Sequence, residues 1–442
     1  MKTKMKKHFF LNTILVTLLM NLSLITKAQE TELTPFDTLA NSVNKIKDDV
    51  DLLKRIKISG YLQPQFQMTD SNGSANYSGG NFNANTDKRF LLRRARIKFS
   101  YETLLTQYVF QIDATQSGLA IKDMYAKFTE PWAKAVSLTV GCMNRPFGYE
   151  IGYSSSLRES PERGRMSQII FPSERDLGAM ITLQMPKTSR WNYIKAEAGM
   201  FNGTGPTAVD FDYQKDFIGR IRIDKSTKSE KISYGAGLSY YNGGYRQGRK
   251  NVYTNAADSS GLMAYVLNSD TTNYGKIAKR TYLGGDFQLN LDLPIGMTTI
   301  RAEYIQGQQP GTSSSTASPT AQPTTDNYMR NFNGAYFYFL QNIWTTKFQL
   351  IAKYDWYDPN TDVAGDIIGQ TVKSSADIKV TKTGKQDLRY TTIGLGIAYR
   401  WDNNIKITAY YDIVKNETSK NVVGYTKDLK DNVFTLRVQY KF

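Results

Sequence analysis

The chain has few of the residues that build catalytic or disulfide-stabilised sites. Its 442 residues include one cysteine, Cys142, and one histidine, His8. A single cysteine excludes an intramolecular disulfide, and the residues after His8 can form neither a His-based triad nor most kinds of zinc site. A hydrolytic enzyme would need an activated nucleophile, and no base is evidently paired with a serine. We therefore expect neither an enzyme nor a cofactor.

Long apolar runs are also scarce. After residue 28 no run is long enough for a membrane helix. Aromatic residues nevertheless make up 12% of the chain, with 29 Tyr. A transmembrane β-barrel needs apolar residues only at alternate positions and concentrates aromatic side chains at the two membrane interfaces. The composition therefore suits such a barrel, although a soluble all-β protein can share it.

Residues 1–28 resemble a secretory signal peptide. Lysines dominate the first seven residues, a largely apolar stretch runs from Phe9 to Ile25, and Ala28 is a small residue before a cleavage site. The alternative, a transmembrane anchor, is disfavoured because polar residues interrupt the stretch. Removing these residues takes away five lysines and no acid, which lowers the formal net charge from +16 to +11.

The remaining positive charge predicts anionic partners. An exported basic protein meets anionic lipid and lipopolysaccharide, and we expect both as surroundings. Nucleic-acid binding is not expected because no motif supports it and the export signal argues against it.

Residues 30–54 follow a helical pattern. Apolar residues recur at alternating spacings of three and four, which is an a/d heptad seam. This pattern predicts a short periplasmic coiled coil beneath a trimeric barrel, and the alternative is an amphipathic helix packed on the periplasmic rim of the barrel. The seam consists of Phe36, Leu39, Val43, Ile46, Val50 and Leu53.

In residues 55–442, the alternation of apolar and polar side chains predicts an outer-membrane barrel domain of sixteen antiparallel strands. Short connections alternate with long ones, which is typical of an up-and-down barrel with extracellular long loops, whereas a soluble sandwich predicts no such alternation. The predicted strands are 55–67, 89–101, 106–115, 120–129, 135–143, 177–186, 190–201, 216–225, 229–241, 279–292, 297–306, 331–341, 345–357, 389–401, 403–413 and 432–442.

The last predicted strand shows the pattern most clearly. In NVFTLRVQYKF, residues 432–442, apolar side chains alternate with polar ones and the chain stops on the aromatic Phe442. Successive side chains of a strand point to opposite faces, so one face is apolar and suited to lipid while the other is polar and basic. A terminal aromatic after such a strand resembles the assembly signal of bacterial outer-membrane proteins.

The same alternation assigns side chains to the lumen. In residues 89–101, Leu91, Ala95 and Ile97 share a parity and are predicted to face lipid, which turns the intervening cations inward. An Arg or Lys facing lipid near the midplane would cost about 2–4 kcal/mol. The cations predicted to line the anion pathway are Arg94, Arg96, Lys98, Lys127, Arg220, Arg222, Arg301 and Lys353.

Acidic residues such as Asp113 and Asp286 share the predicted lumen face, so any single cation could be paired across strands. Cations that follow one another along the lumen face of a strand without acidic neighbours would instead form a row of positive charge, which raises the local concentration of anions. The loop 144–176 is long enough to fold into the lumen and form a constriction. Its acidic and basic residues are equal in number, so its net charge alone does not predict anion binding. Its possible constriction residues are Arg145, Arg163, Arg165 and Arg175.

An ordered set of motifs along the mature chain resembles the phosphate-selective porin O and P family. The motifs are RRARIKFS at 93–100, KDMY at 122–125 with Asp113 before it, RPFGYE at 145–150, SERDLGAM at 173–180, FNG at 201–203 and the terminal LRVQYKF. The resemblance implies a sixteen-stranded homotrimeric porin of the outer membrane that passes phosphate-type anions. It places Arg94, Arg96, Arg220 and Arg222 at lumen arginine positions and Lys122 in a lysine-bearing segment.

Three functions are therefore considered. The first is passive diffusion of anions, with phosphate as the expected inorganic anion. The second is a general-diffusion porin whose acidic lumen residues neutralise the basic ones. The third is a structural or adhesive surface barrel that acts through its long loops.

Overall fold

The structure is a computed structural model and describes residues 35–442. The predicted signal peptide, residues 1–28, lies outside the described residues. The helices are α1 (Pro35–Lys54) and α2 (Arg165–Ile170). None of the described helices is both long enough and apolar enough to cross a membrane.

Nineteen strands are present in the described residues, and all belong to one sheet. They are β1 (Ile56–Thr69), β2 (Lys88–Glu102), β3 (Thr106–Thr115), β4 (Gly118–Thr129), β5 (Val136–Asn144), β6 (Arg175–Gln184), β7 (Ile194–Phe201), β8 (Asp216–Ser226), β9 (Ile232–Arg246), β10 (Asn251–Ala257), β11 (Met263–Ser269), β12 (Ile277–Leu293), β13 (Gly296–Gly311), β14 (Asn327–Asn342), β15 (Phe348–Asp358), β16 (Val380–Thr381), β17 (Tyr390–Arg400), β18 (Ile405–Asn416) and β19 (Val433–Lys441).

The sheet closes on itself. β19 pairs antiparallel with β1, with Leu62 opposite Tyr440 and Phe66 opposite Leu436. Sixteen antiparallel strands therefore form the barrel, and β10, β11 and β16 lie outside this ring. The predicted fold and the number of strands are confirmed. Closure pairs every edge, so the barrel exposes no free row of backbone donors and acceptors to lipid.

The long-loop end holds more regular structure than the sequence predicts. β10 and β11 form a hairpin within residues 242–278, which the sequence pattern assigns to a loop. β10 runs parallel to β14, with Val252 opposite Asn327, and β11 pairs with β16, with Tyr265 opposite Thr381. The hairpin therefore extends the barrel wall beyond the ring of sixteen strands.

The outer face of the barrel is apolar. On β19, Leu436 and Val438 are exposed while Arg437 and Gln439 are buried inside, as the alternation predicts. Ile221 of β8 is also exposed, and on β9 Leu238 is exposed while Ser239 is buried. An apolar outer band around a polar interior is the arrangement of a transmembrane barrel.

Two register shifts change which side chains reach the lumen. A shift between Gln63 and Pro64 places Arg93 as an extra residue in β2. A bulge reverses the alternation beyond it. Leu91 therefore pairs with Gln65, whose side chain is buried in the lumen, and the prediction that Leu91 faces lipid is wrong.

The second shift lies between Phe110 and Ile112 in β3, where Lys122 and Asp123 of β4 together oppose Gln111. Asp123 binds Arg175 within the barrel. Lys122 lies close enough to Glu174 to interact with it electrostatically. The bulge thus brings two consecutive side chains of β4 to the inner face.

Helix α1 belongs to a unit separate from Ile56–Phe442. It spans twenty residues and begins at Pro35, a residue whose fixed φ suits the first helical turn. The heptad-seam residues Leu39, Val43, Ile46, Val50 and Leu53 are all exposed. The helix therefore carries an apolar stripe along one side.

Candidate functional site

Residues 145–174, here called the inner loop, connect β5 to β6 and fold into the barrel. On one wall, the Ser155 hydroxyl lies 2.6 Å from the Tyr61 hydroxyl of β1. On another wall, the Ser160 hydroxyl lies 2.6 Å from the Tyr338 hydroxyl of β14. The loop therefore reaches walls on separate parts of the ring and occupies the lumen.

Backbone donors of the inner loop are satisfied by the wall. The amides of Tyr149 and Glu150 donate to one carboxylate oxygen of Glu303, at 3.0 and 2.9 Å. The amide of Gly148 donates to the hydroxyl of Ser239 at 2.9 Å. Buried backbone groups need such partners, so the wall fixes the path of this segment.

An aromatic core holds the other end of the inner loop. The ring of Phe147 lies 5.2 Å from that of Phe171, and both rings pack against Tyr241 and Tyr282 of the wall. Met166 belongs to the same buried cluster. Packed aromatic rings bury large apolar areas, which stabilises this fold of the loop.

Three of the four arginines predicted as constriction residues of the loop 144–176 are ion-paired. Arg145 binds Asp176 at 3.0 Å, and Arg163 binds Glu174 at 3.3 Å. Arg175 binds both Asp123, at 2.9 Å, and Glu174, at 3.0 Å. Their charges are compensated where they are buried. The fourth, Arg165, forms no ion pair among the described residues and stacks on the ring of Tyr390 at 3.6 Å.

Glu162 of the inner loop gathers three arginines. It binds Arg94 at 2.7 Å and Arg93 at 2.9 Å on β2, and Arg437 at 2.9 Å on β19. Burial raises the pKa of Glu162, but the neighbouring guanidinium groups outweigh burial and hold this pKa well below its usual range. The cluster therefore carries more positive than negative charge.

The predicted wall cations on the remaining strands are also mostly paired. Arg96 binds Asp113 at 2.8 Å, and Arg220 binds Asp286 at 2.8 Å. Arg222 binds Asp224 on its own strand. Two further pairs, between Arg301 and Glu159 at 2.7 Å and between Lys353 and Asp355 at 2.8 Å, complete the network.

Lys98 and Lys127 differ from the other predicted wall cations. Neither forms an ion pair within 4 Å in residues 35–442, and both are half-buried. They line a cavity of about 550 Å³, here called the inner cavity, between residues 143–153 and strands β2 to β8. Its charged lining residues are Lys98, Asp123, Lys127, Arg145, Lys195, Glu197, Arg220 and Arg222.

The inner cavity therefore has six cations and two carboxylates in its lining. Its remaining walls include the rings of Tyr149 and Tyr153, which stack on each other with centroids 5.2 Å apart. An enclosed excess of fixed cations raises the local concentration of anions and repels cations. The geometry is suited to electrostatic attraction of anions rather than to covalent chemistry.

The lumen also contains cations outside the predicted set, among them Lys195 and Arg158. Lys195 shares its parity with Glu197 on β7, so the alternation could have assigned it to the lumen. Arg158, on the inner loop, gives no such signal because loops have no side-chain period. Its Nε and Nη1 atoms are buried without hydrogen-bond partners in the described residues.

The chain matches no family model and no curated protein. Solved structures that are similar in fold include two bacterial proteins. The outer membrane channel DcaP of Acinetobacter baumannii is 12% identical, with 88% of this chain and 97% of that chain covered and a TM-score of 0.50. The high-pH structure of OprB from Pseudomonas putida is 9% identical, with 90% and 97% covered and a TM-score of 0.52.

At these identities the similarity shows the fold alone. The sixteen-stranded closed ring and its apolar outer band are those of a bacterial outer-membrane barrel. The predicted location in the outer membrane is thereby confirmed.

Proposed function

We propose that the barrel is a passive diffusion channel of the outer membrane that favours anions. The observation that carries this proposal is the lining of the inner cavity, where four of the six cations are paired with carboxylates and two, Lys98 and Lys127, have no ion-pair partner in the described residues. Lys98 and Lys127 matter most because no carboxylate within ion-pair distance cancels their charge in the described residues. Fixed, uncompensated cations in a confined aqueous space repel cations and attract anions.

Phosphate is the inorganic anion that the motif resemblance suggests. Guanidinium groups bind phosphate oxygens in a bidentate manner, but those of Arg220 and Arg222 already bind Asp286 and Asp224. The uncompensated cations of the cavity are lysines, which act on phosphate as point charges. We therefore propose phosphate as one of several permeating anions, and membership of the phosphate-selective porin O and P family stays a prediction from the motifs.

A second candidate is general diffusion with little selectivity. The extent of ion pairing favours it, because Arg94, Arg96, Arg301 and Lys353 all contact carboxylates. Paired charges contribute weakly to the potential in the water beside them, since the two fields partly cancel. The two candidates differ only in whether the uncompensated lysines control the current.

The deciding measurement is the reversal potential of the purified protein in a planar bilayer under a KCl gradient. An anion-selective potential supports the anion channel. An unselective or cation-selective potential would contradict it. The measurement is then repeated with phosphate added. Phosphate that inhibits chloride current indicates a phosphate-binding constriction, whereas unchanged chloride current indicates that phosphate does not bind in the constriction.

We also propose that the channel is a homotrimer, with α1 as a contributor to assembly. The exposed stripe of α1, from Leu39 to Leu53, has the spacing of a coiled-coil seam and is too apolar to be favoured in water. Fewer than three heptads are marginal for an isolated coil, so we expect the helices to associate only where barrels already hold them together.

A further inference from the structure

A second cavity lies at the long-loop end of the barrel. It has a volume of about 470 Å³ and is here called the external cavity. Segments 75–81, 314–317 and 385–390 contribute to its walls, together with Arg165 of the inner loop. The side chains used in the argument below are Tyr77, Arg165, Tyr357, Lys385, Tyr390 and Tyr425.

Arg165 is an unusual cation within this cavity. Its side chain is about nine-tenths buried, with a residue exposure of 8%. The guanidinium carbon lies 3.6 Å from the ring centroid of Tyr390 and 4.6 Å from that of Tyr77. Its Nε is buried without a hydrogen-bond partner, and the guanidinium forms no ion pair in residues 35–442. A buried charge that lacks an opposite charge is costly, so such groups are usually paired.

The N–H donors of Arg165 lie in the plane of its guanidinium. The rings of Tyr77 and Tyr390 lie against the guanidinium, and the N–H donors project from the edge of the plane. A carboxylate or phosphate group accepts hydrogen bonds from this edge in a bidentate manner. The arrangement therefore presents a directional anion site within the external cavity.

The lining of the external cavity supports an anionic solute with a ring. Lys385 is a second cation, and no carboxylate is among the described residues that line the cavity. Tyr357 and Tyr425 add two aromatic side chains to those stacked on Arg165. Aromatic side chains stack favourably on flat rings, while a small inorganic anion offers them no face to contact.

The space beneath Arg165 is much narrower. Arg165 and Tyr77 also border a gap of about 20 Å³, which has room for about one water molecule. Three carboxylates, those of Glu162, Asp355 and Asp412, line this gap together with the cations Arg163 and Lys353. The gap is too small to admit an organic anion, so Arg165 is the place where an anion that arrives from outside would be held.

We propose that the external cavity recognises organic anions that carry a flat ring, with the anionic group on the Arg165 edge and the ring against Tyr357 and Tyr425. This inference rests on the proposed function, because it names the class of anion that an anion channel would collect. The cavity is separate from the inner cavity and shares no lining residue with it.

The test is calorimetric titration of the purified full-length mature protein with benzoate, acetate and inorganic phosphate. We expect benzoate to bind at least about tenfold more tightly than acetate or phosphate. Arg165→Gln should weaken benzoate binding by about tenfold or more, whereas Arg249→Gln should not change it. Arg249 is a matched control because it is an exposed loop arginine outside the cavity.

Two further variants separate the charge from the rings. Arg165→Lys keeps the charge but loses the planar fork, so we expect an intermediate loss of benzoate affinity. Tyr425→Leu should lower the affinity for benzoate toward that for acetate and leave the affinity for acetate unchanged. Equal binding of benzoate and acetate by the unmodified protein would overturn the inference, and so would benzoate binding that survives Arg165→Gln.

Failure of this inference can be distinguished from failure of the proposed function. An anion-selective reversal potential without benzoate binding would overturn only the external site. Benzoate binding with an unselective potential would leave the site in place and overturn anion selectivity. Heat-dependent mobility on semi-native gels identifies any variant that fails to fold, and Arg165→Lys then provides the measurement.

Discussion

Arg94 on β2 and Glu162 on the inner loop form a buried ion pair, with Nη2 and Oε2 2.7 Å apart. The pair joins a wall strand to a loop that is 68 positions away in the chain. Both side chains are almost fully buried, so water does not screen their attraction. The inner loop is therefore held by charge as well as by its aromatic core.

Removing the carboxylate of this pair should destabilise the barrel. Glu162→Gln leaves Arg93, Arg94 and Arg437 without their shared partner, and breaking a buried pair costs about 3–5 kcal/mol. We expect the folded band on semi-native gels to be lost at a lower temperature than for the unmodified protein. We also expect a noisier single-channel current, because the inner loop loses a fixed contact. Glu417→Gln is the control, since that carboxylate accepts hydrogen bonds from the backbone amides of Gly365 and Arg389 and forms no ion pair in the part of the chain that the structure describes. Equal stability of the two variants would contradict the role given to Glu162.

Lys98 and Lys127 should control ion selectivity. Replacing both with Glu reverses the uncompensated charge of the inner cavity, so we expect the reversal potential under a KCl gradient to move toward cation selectivity. The matched control replaces Lys187 and Lys228, which are exposed in short turns, with Glu. A selectivity shift of equal size in the control would show that net charge alone, rather than the cavity lining, sets the potential.

Arg220 should matter for stability more than Lys98. Arg220→Gln leaves Asp286 buried without its cation, which we expect to cost about 3–5 kcal/mol of unfolding free energy. Lys98→Gln leaves no ion-pair partner behind, so its expected effect is within about 0.5 kcal/mol. Urea unfolding of the two variants in detergent measures the difference. Equal costs would mean that the Arg220 pair is not a structural contact.

Anion binding at Arg165 should strengthen as the pH falls through about 6. Burial raises the pKa of Asp431 to about 6, with Arg165 opposing this shift and Asp428 and Asp70 adding to it. Below this pKa, Asp431 is neutral and no longer competes with an added anion for the field of Arg165; above it, the carboxylate charge reduces anion affinity. Benzoate titrations at pH 5 and pH 7.5 measure the effect. Asp431→Asn should remove most of the pH dependence, and an unchanged dependence would assign it to another group.

Polar substitutions in the α1 seam should weaken the proposed trimer. Val43→Asn and Ile46→Asn each replace an exposed apolar seam residue with an amide that a coiled-coil core tolerates poorly. We expect the trimer band on semi-native gels to convert to monomer at a lower temperature. Lys47→Gln is the control because that position lies off the seam. A trimer of unchanged thermal stability would remove α1 from the account of assembly.

The sequence predicted the barrel well because a strand has a fixed side-chain period. All sixteen ring strands were expected, and on β19 the alternation identified which residues face lipid. It failed at Leu91, where one extra residue in β2 reverses the parity. A bulge depends on the register between two strands, and a single strand carries no record of that register.

Which of the lumen cations are ion-paired could not be predicted in the same way. Arg437 and Glu162 are 275 positions apart, and their contact depends on the path of a loop without a repeating pattern. The alternation could show that Arg94, Arg96 and Arg220 point inward, but their carboxylate partners come from other strands or from the inner loop. The few uncompensated lysines emerge only once every pair is known.

The contact between Arg437 and the inner loop has a consequence for biogenesis. Arg437 lies on β19, the strand that closes the ring against β1, and it donates to the Pro161 carbonyl at 2.6 Å as well as to Glu162. The inner loop cannot gain these two contacts until the final strand has been added. A partly assembled barrel would therefore have an unsealed edge and an inner loop without its contacts to the final strand, so closing the wall also completes the anchoring of the loop.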